Sequence, residues 1–411
     1  MNIKNRKILS RAVSVAALAV FSQSAYSAPF TFEGRSLGMG GVAVATADLA
    51  TAAWANPAML TNQHMSDDFS LLIGVGAFGR DNDDLLSDIQ DFQDAEERRQ
   101  AAEIAGNAFA EAVALYDMAN IIPGIDTKDV AVDVSGVAAM GIAFETFAMA
   151  VSVRADAIGA GTVDNLSCQL DTVDENGLCD FTRFEAELLS KDFNILNLEG
   201  VLTTEIGVSF AKAFDLYDRK FSVGIKPKFV DIQAFSYQES IQDVDGIEDI
   251  NNSDNKTDIG TYTTIDLGLS YDIAESFRLG LNLTNLIPAD FKVGTQTLNF
   301  DTGARFGAAY HNDFLTLGVD YDLIENKPLL ANPRFGDLKT QYLSVGAELN
   351  AFDFAQLRVG ASKNTASGIN GSAGDVLYTA GVGFWLGFNL DLAATFADHS
   401  LGAFVQTGFR F

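Results

Sequence analysis

A two-residue rhythm of apolar and polar side chains, repeated along most of the chain, limits the fold more than any other feature. From 315 to 323, Leu315, Leu317, Val319, Tyr321 and Leu323 alternate with Thr316, Gly318, Asp320 and Asp322. The same rhythm runs through 265–272, 277–284, 388–397 and 401–411. Successive side chains of a strand point to opposite faces, so each segment is a strand with one apolar and one polar face. A water-soluble sandwich alternates too. In this chain, however, the polar face is rich in glycine and carries charges of both signs, at Asp266, Arg278, Glu348, Arg358, Asp391 and Arg410, as a wet lumen would. The apolar face runs for about ten residues per strand, enough to cross a bilayer when tilted. No later apolar run reaches the roughly 20 residues that a spanning helix needs. The expectation is an all-β chain, an antiparallel transmembrane β-barrel of about fourteen strands.

Those strands are expected at 68–80, 130–143, 146–156, 201–213, 220–233, 260–272, 277–286, 297–310, 314–323, 340–350, 355–363, 376–386, 388–397 and 401–411. Short turns then alternate with long connections. With both termini periplasmic, the long set faces the cell exterior.

The start of the chain reads as an export signal. Lys4, Arg6, Lys7 and Arg11 precede an apolar run from Ala12 to Phe21, and small residues follow around Ala25-Tyr26-Ser27. That order of basic, apolar and small segments marks a secretory signal, cleaved after Ser27, and the run is too short to anchor the chain. The domain reading is therefore a signal peptide over 1–27, a plug or hatch over 28–67 and the barrel over 68–411.

Composition narrows the partners. Against 27 basic residues stand 55 acidic ones, for a net charge of -28, and mean hydropathy is +0.12. Such a charge repels phosphate backbones, so nucleic acid is not an expected partner. The two cysteines, Cys168 and Cys179, bracket a polar stretch, and in an exported chain a disulfide between them is the expectation. There is no Cys-x-x-Cys, which argues against thiol oxidoreductase chemistry.

Two regions break the strand rhythm. Residues 82–119 place Leu85, Ile89 and Phe92 on one face at helical spacing, which predicts an amphipathic helical insertion in an outer loop, an external cap. Residues 28–67 contain Gly38-Met-Gly40-Gly41, Asp48 and Asn56-Pro57-Ala58. Asp48 suits the start of a short alanine-rich helix, and Asn56-Pro57 suits a cap followed by proline at the first helical position. Small residues of this kind pack tightly, either inside a barrel or as a periplasmic leader.

The Gly-Met-Gly-Gly start, Asp48 and Asn56-Pro57-Ala58 resemble the N-terminal hatch of the FadL-type superfamily of outer-membrane transporters for hydrophobic compounds. A further resemblance covers nearly all of the mature chain, to the outer-membrane family labelled conjugal transfer protein TraF. It is carried by Asn56-Pro57-Ala58, Asp88-Ile-Gln-Asp-Phe92-Gln, Gly224-Ile-Lys226-Pro227-Lys228-Phe229, the stretch from Leu279 to Ile287, Gly318-Val-Asp320-Tyr-Asp322-Leu323 and the stretch from Gln341 to Glu348. These resemblances imply a barrel with a hatch and passage of small hydrophobic molecules. The well-known conjugation protein sharing the label is similar to thioredoxins, a pattern this chain lacks, so a role in DNA transfer is no more than a label.

Other motifs carry less. Gly74-Val-Gly76-Ala-Phe-Gly79 has dinucleotide-binding spacing but lacks the strand and helix context that such a site needs. His64, His311 and His399 lie far apart in sequence, and no catalytic constellation, metal site or cofactor is expected. The acidic stretches Asp81–Asp84 and Asp243–Asp249 do not match an EF-hand loop and read as solvated surface. Lys226 and Lys228 share the lumen face with Asp320 and Arg358, and the lysines are expected to pair with a carboxylate such as Glu205, the alternative being that they hold an anionic substrate headgroup. The C-terminal strand, with Phe409 and Phe411 on its apolar face, resembles the signal by which barrels are handed to the assembly machinery. Expected partners are therefore outer-membrane lipid, that machinery and a hydrophobic small molecule. The competing reading is a non-transporting envelope protein for surface interaction, assembly or conjugal transfer.

Overall fold

The fold comes from a computed structural model that describes residues 32–62, 68–81, 84–126, 132–163, 188, 194–240, 256–293, 296–327, 329, 339–352, 354–367, 376–398 and 400–410. Residues 1–27, where an export signal is expected, Cys168, Cys179, the stretch 243–249, His64, His399 and Phe411 lie outside the described residues.

Two short helices, α1 (Gly34–Gly38) and α2 (Ala52–Ala55), and a 3-10 turn (Pro57–Thr61) come first. The strands are β1 (Phe69–Asp81), β2 (Val132–Phe144), β3 (Phe147–Val163), β4 (Asn194–Leu216), β5 (Arg219–Ser240), β6 (Lys256–Ala274), β7 (Phe277–Thr284), β8 (Ala289–Val293), β9 (Gln296–Phe300), β10 (Gly303–His311), β11 (Leu315–Asp322), β12 (Tyr342–Phe352), β13 (Ala355–Asn364), β14 (Val376–Trp385), β15 (Asn389–Ala397) and β16 (Ser400–Arg410). Fourteen of them, all but β8 and β9, form one closed antiparallel barrel. Closure pairs β1 with β16, from Ser70 opposite Arg410 to Arg80 opposite Ser400, and so removes both sheet edges. Between β1 and β2 stand α3 (Leu85–Ile104) and α4 (Ala108–Ile125).

Polarity is inverted relative to a water-soluble protein. Val75, Met140, Ile206, Val359 and Val405 project outward and are exposed, whereas Ser135, Ser152, Ser209, Thr264 and Asp320 face inward and are buried. An apolar outer band over a polar interior is the arrangement that lipid demands of a barrel. An aromatic chain runs along the short-turn rim. Phe69 meets Phe144, Phe144 meets Phe147, Phe147 meets Phe210, Phe277 meets Tyr310 and Phe388 meets Phe409. Such girdles mark the level where a barrel crosses from hydrocarbon to headgroups.

Three details differ from the sequence reading. The strand expected at 297–310 is two: β9 pairs with β8 in a separate hairpin, and β10 joins the wall after Asp301-Thr302. The hairpin turns inward at the rim, where Leu298 is buried with Ile158, Val201, Val230 and Ile232, and Phe300 packs on Tyr262. Second, the insertion is a pair of helices reaching Ile125. Asp81 starts it by accepting from the backbone N–H groups of Leu85 (2.8 Å) and Leu86 (2.9 Å), and Leu85, Phe92, Met118 and Ile122 pack with Leu196, Leu198 and Tyr237 of β4 and β5. Third, wall height is uneven. β4 and β5 run 23 and 22 residues, β7 and β11 only 8 each. The sequence criterion of one bilayer crossing undercounted the tall side, whose extra residues bury apolar contacts against helices and hairpin instead of lipid.

Candidate functional site

Residues 32–62 lie inside the barrel, in the half of the lumen nearer the short-turn rim. What lets them in is a set of inward-facing glycines. The plug backbone passes directly over Gly224, Gly268, Gly280, Gly346 and Gly360, one each from β5, β6, β7, β12 and β13, and the side chains of Val42 and Thr46 cover Gly318 of β11. A Cβ added at Gly280 would stand 2.6 Å from the Val44 carbonyl oxygen, and one at Gly360 would stand 2.7 Å from that of Met39. Real carbon contacts do not come that close, so any other residue would push the plug off the wall. The glycine-rich polar face taken from sequence as a wet lumen is, at this level, a dry seat. On the opposite arc, Trp54 covers Gly141, and Phe404 lies over Gly74 and Gly76. This glycine pair, the one with nucleotide-binding spacing, makes room for a phenylalanine.

Polar contacts hold the plug to nearly every strand it crosses. Gly34 N donates to Gln406 Oε1 (2.8 Å), and Gly40 N to Thr379 Oγ1 (2.8 Å). Asp320, fully buried, accepts from the N–H groups of Ala43 (2.8 Å) and Val44 (3.0 Å). Asn56 folds back to accept from Ala58 N (3.1 Å), capping the turn that Pro57 begins. Its amide nitrogen donates to Val44 O (2.9 Å) and to Leu269 O of β6 (3.1 Å). Thr61 bonds Ser222 Oγ at 2.7 Å, and Lys220 donates to the Thr61 carbonyl. Asp48 stays within the plug, accepting from Thr51 N (3.1 Å) and Oγ1 (2.8 Å).

The strongest link is ionic. Arg35 forks onto Glu348 with Nε and Nη2 both at 2.8 Å, and Arg358 reaches the same carboxylate at 2.7 Å and also pairs with Asp391. Two guanidiniums around two carboxylates leave no uncompensated charge in a buried place, the condition for tolerating ions there. Beside them Glu33 is buried as well. Burial first, and Asp48 second, push its carboxyl up to about 8. Neither Arg35 nor Glu33 belonged to the expected set, because a lone charge among glycines and alanines has no spacing signal.

Above the plug, toward the long-connection rim, lies a cavity of about 370 Å³. Arg154, Lys228, Arg305, Asp322, Asn282 and Thr284 line it from the wall, Phe300 and Leu329 form an apolar side, and Phe32 of the plug also lines it. The wall cations are paired. Lys228 lies 3.0 Å from both Glu205 and Asp266, Lys226 also meets Glu205, and Arg154 forks onto Asp156. Pro227 between the two lysines has no N–H, and the β4–β5 pairing skips from Gly207 opposite Lys228 to Phe210 opposite Ile225. The stem of Lys226 lies over Gly207 in that interval. The structure thus divides the expected site residues. Gly38, Gly40, Gly41, Asp48, Asn56, Pro57 and Ala58 belong to the plug; Asp320 and Arg358 bind plug residues or their ion network, Lys228 faces the cavity, and Phe409 points outward.

A family model described as "F plasmid transfer operon, TraF, protein" matches residues 53–322. No curated protein matches. Among solved structures, the toluene transporter TodX of P. putida is similar, with 13% identity over 93% of this chain and 99% of that one and a TM-score of 0.50. A FadL homologue of Pseudomonas aeruginosa is 11% identical over 94% of this chain and 98% of that one, with a TM-score of 0.49. At such identity the TodX likeness speaks for the barrel fold alone. The family match, in contrast, spans more than half of the chain and runs from the plug through β11, and by it this protein belongs to the TraF family.

Proposed function

We propose that the protein is an exported barrel of the Gram-negative outer membrane that admits small, largely apolar molecules, with residues 28–67 as its hatch. The observation that carries this reading is the join between plug and wall. The plug is seated by backbone contact on glycines and by hydrogen bonds and ion pairs, and directly above it stands a cavity of small-molecule size. TodX, which shares the barrel fold, is a toluene transporter. In this reading the long connections face the exterior, Phe411 belongs to the assembly signal, and Cys168 and Cys179 close an external loop.

The test is flux of toluene into liposomes holding the full chain. Gly38 and Gly381 lie backbone to backbone, so the pair G38C and G381C tethers the hatch to β14. Oxidation of that pair is expected to stop flux and reduction to restore it, with reductant on the untethered chain as control. Flux that persists through the tethered barrel would sink the hatch reading, and absence of flux from the untethered barrel would favour a non-transporting envelope role.

A further inference from the structure

The cavity above the plug has a chemistry that a purely hydrocarbon cargo does not use. Thr203, Asn282, Thr284, Asn285, Asn299 and Asn326 all contribute to its lining. Asn282 is only 8% exposed, and its Oδ1 has no hydrogen-bond partner; the Oδ1 of Asn285 has none either. An amide oxygen without a partner is costly to maintain, and beside a cavity lined by further amides and hydroxyls it favours a ligand that brings hydrogen-bonding groups of its own.

Charge decides what kind of ligand. A buried anion would need an unspent cation beside it, and the buried wall cations are spent; Lys327, which also lines the cavity, is exposed to solvent. Lys228 sits between Glu205 and Asp266, Arg154 is held by Asp156, and Arg305 reaches Asp322 at 3.2 Å and donates to Ser344 at 2.9 Å. The chain as a whole, at -28, also repels anions on approach. A cation would meet those same wall cations first. Fixed amides and hydroxyls around a charge-balanced wall fit a neutral group that both donates and accepts hydrogen bonds. Phe300 and Leu329, packed in one apolar cluster, supply the side on which the rest of such a molecule lies.

We propose that this cavity binds the neutral hydrogen-bonding head of a small amphipathic molecule, an alcohol, phenol or amide, with its hydrocarbon part against the Phe300 side. This rests on the uptake reading for its purpose but not for its chemistry. The experiment compares three probes of one shape on the full chain in detergent: 4-phenylbutanol, butylbenzene and 4-phenylbutyrate, by calorimetric titration. The alcohol is expected to bind about ten-fold more tightly than the hydrocarbon or more, since a site built around hydrogen bonds rejects the analogue lacking them. The carboxylate is expected to bind more weakly than the alcohol. N282L is expected to abolish the preference for the alcohol over butylbenzene, and T284V, a milder change checked for heat-modifiable gel migration, to reduce it. Equal affinity for alcohol and hydrocarbon, tightest binding by the carboxylate, or no binding by any probe would overturn the proposal. Binding with this preference but without toluene flux would sink the uptake reading and keep the site; flux without the preference would do the reverse.

Discussion

The two halves of the lumen are built on opposite terms. Near the short-turn rim the wall is glycine, the plug lies backbone on backbone, and its polar atoms find partners on β5, β6, β11, β12, β14 and β16. Toward the other rim the wall carries long polar side chains around open space, and two amide oxygens have no partner. The first half is filled by the protein's own chain. The second encloses open space. The proposed uptake needs both, because a lumen without a plug is an open hole and a lumen filled throughout leaves a solute nowhere to pause.

The contrast breaks most sharply at Glu348. Glu348→Ala leaves Arg35 and Arg358 facing each other in a buried place, which costs about 3–5 kcal/mol for a broken buried pair. The expected outcome is a released plug, read as protease cleavage within 28–67 while heat-modifiable gel migration still reports a folded barrel. Gly360→Val forces a side chain against the Met39 carbonyl and costs about 1–3 kcal/mol by overpacking; the same cleavage assay should report it. Gly136→Ala is its control, because a Cβ there meets nothing within 4 Å, and cleavage should match the parent. Asn56→Ala removes the cap on Ala58 and the bonds to Val44 and Leu269, for about 2 kcal/mol. Toluene flux and its dependence on the tether should both change with it, and an unchanged profile would speak against Asn56 as a fastening of the hatch.

A smaller effect comes from pH. A carboxyl held above its usual value near 4.5 binds its proton more tightly in the seated plug than in the released one. Seating is therefore at full strength below about 4.5, weakens as pH rises through about 8, and is level beyond. Protease cleavage of the plug should climb across that window in the parent chain and stay flat in Glu33→Gln. The smallest effect is expected in the upper half. Asn282→Leu replaces an amide with an unpartnered oxygen by an apolar group of similar size, and should move thermal stability by no more than about 0.5 kcal/mol while changing ligand preference. A large loss of stability there would erase the distinction between the halves.

Much of the barrel was legible because lipid enforces a simple rule. Leu315, Leu317 and Val319 must face hydrocarbon while Thr316, Gly318 and Asp320 face inward, and that rule writes itself as alternation. It stops being informative where strands leave the bilayer. The upper parts of β4 and β5 bury Leu196, Leu198 and Tyr237 under helices, so neither side is lipid and the expected strand ends fell short. The β8–β9 hairpin was hidden for a related reason: its Phe291 and Leu298 pack inward on Tyr262 and Val230, a contact that local sequence does not announce. Of the site, Asn56-Pro57 was readable as a cap because capping is local. The Arg35, Glu348 and Arg358 network was not, since it joins residues 313 positions apart in the chain.

By itself, then, the sequence determined a chain of alternating strands, the number in the barrel wall, and a small-residue segment ahead of them, since each follows from neighbours along the backbone. Only the tertiary structure decided what the glycines were for. From sequence they looked like a polar lumen surface; closure of the barrel brings Gly280, Gly346 and Gly360 onto one level and lays the plug across them. The reason is physical: a missing side chain carries no signal of its own until another piece of backbone occupies the space it leaves.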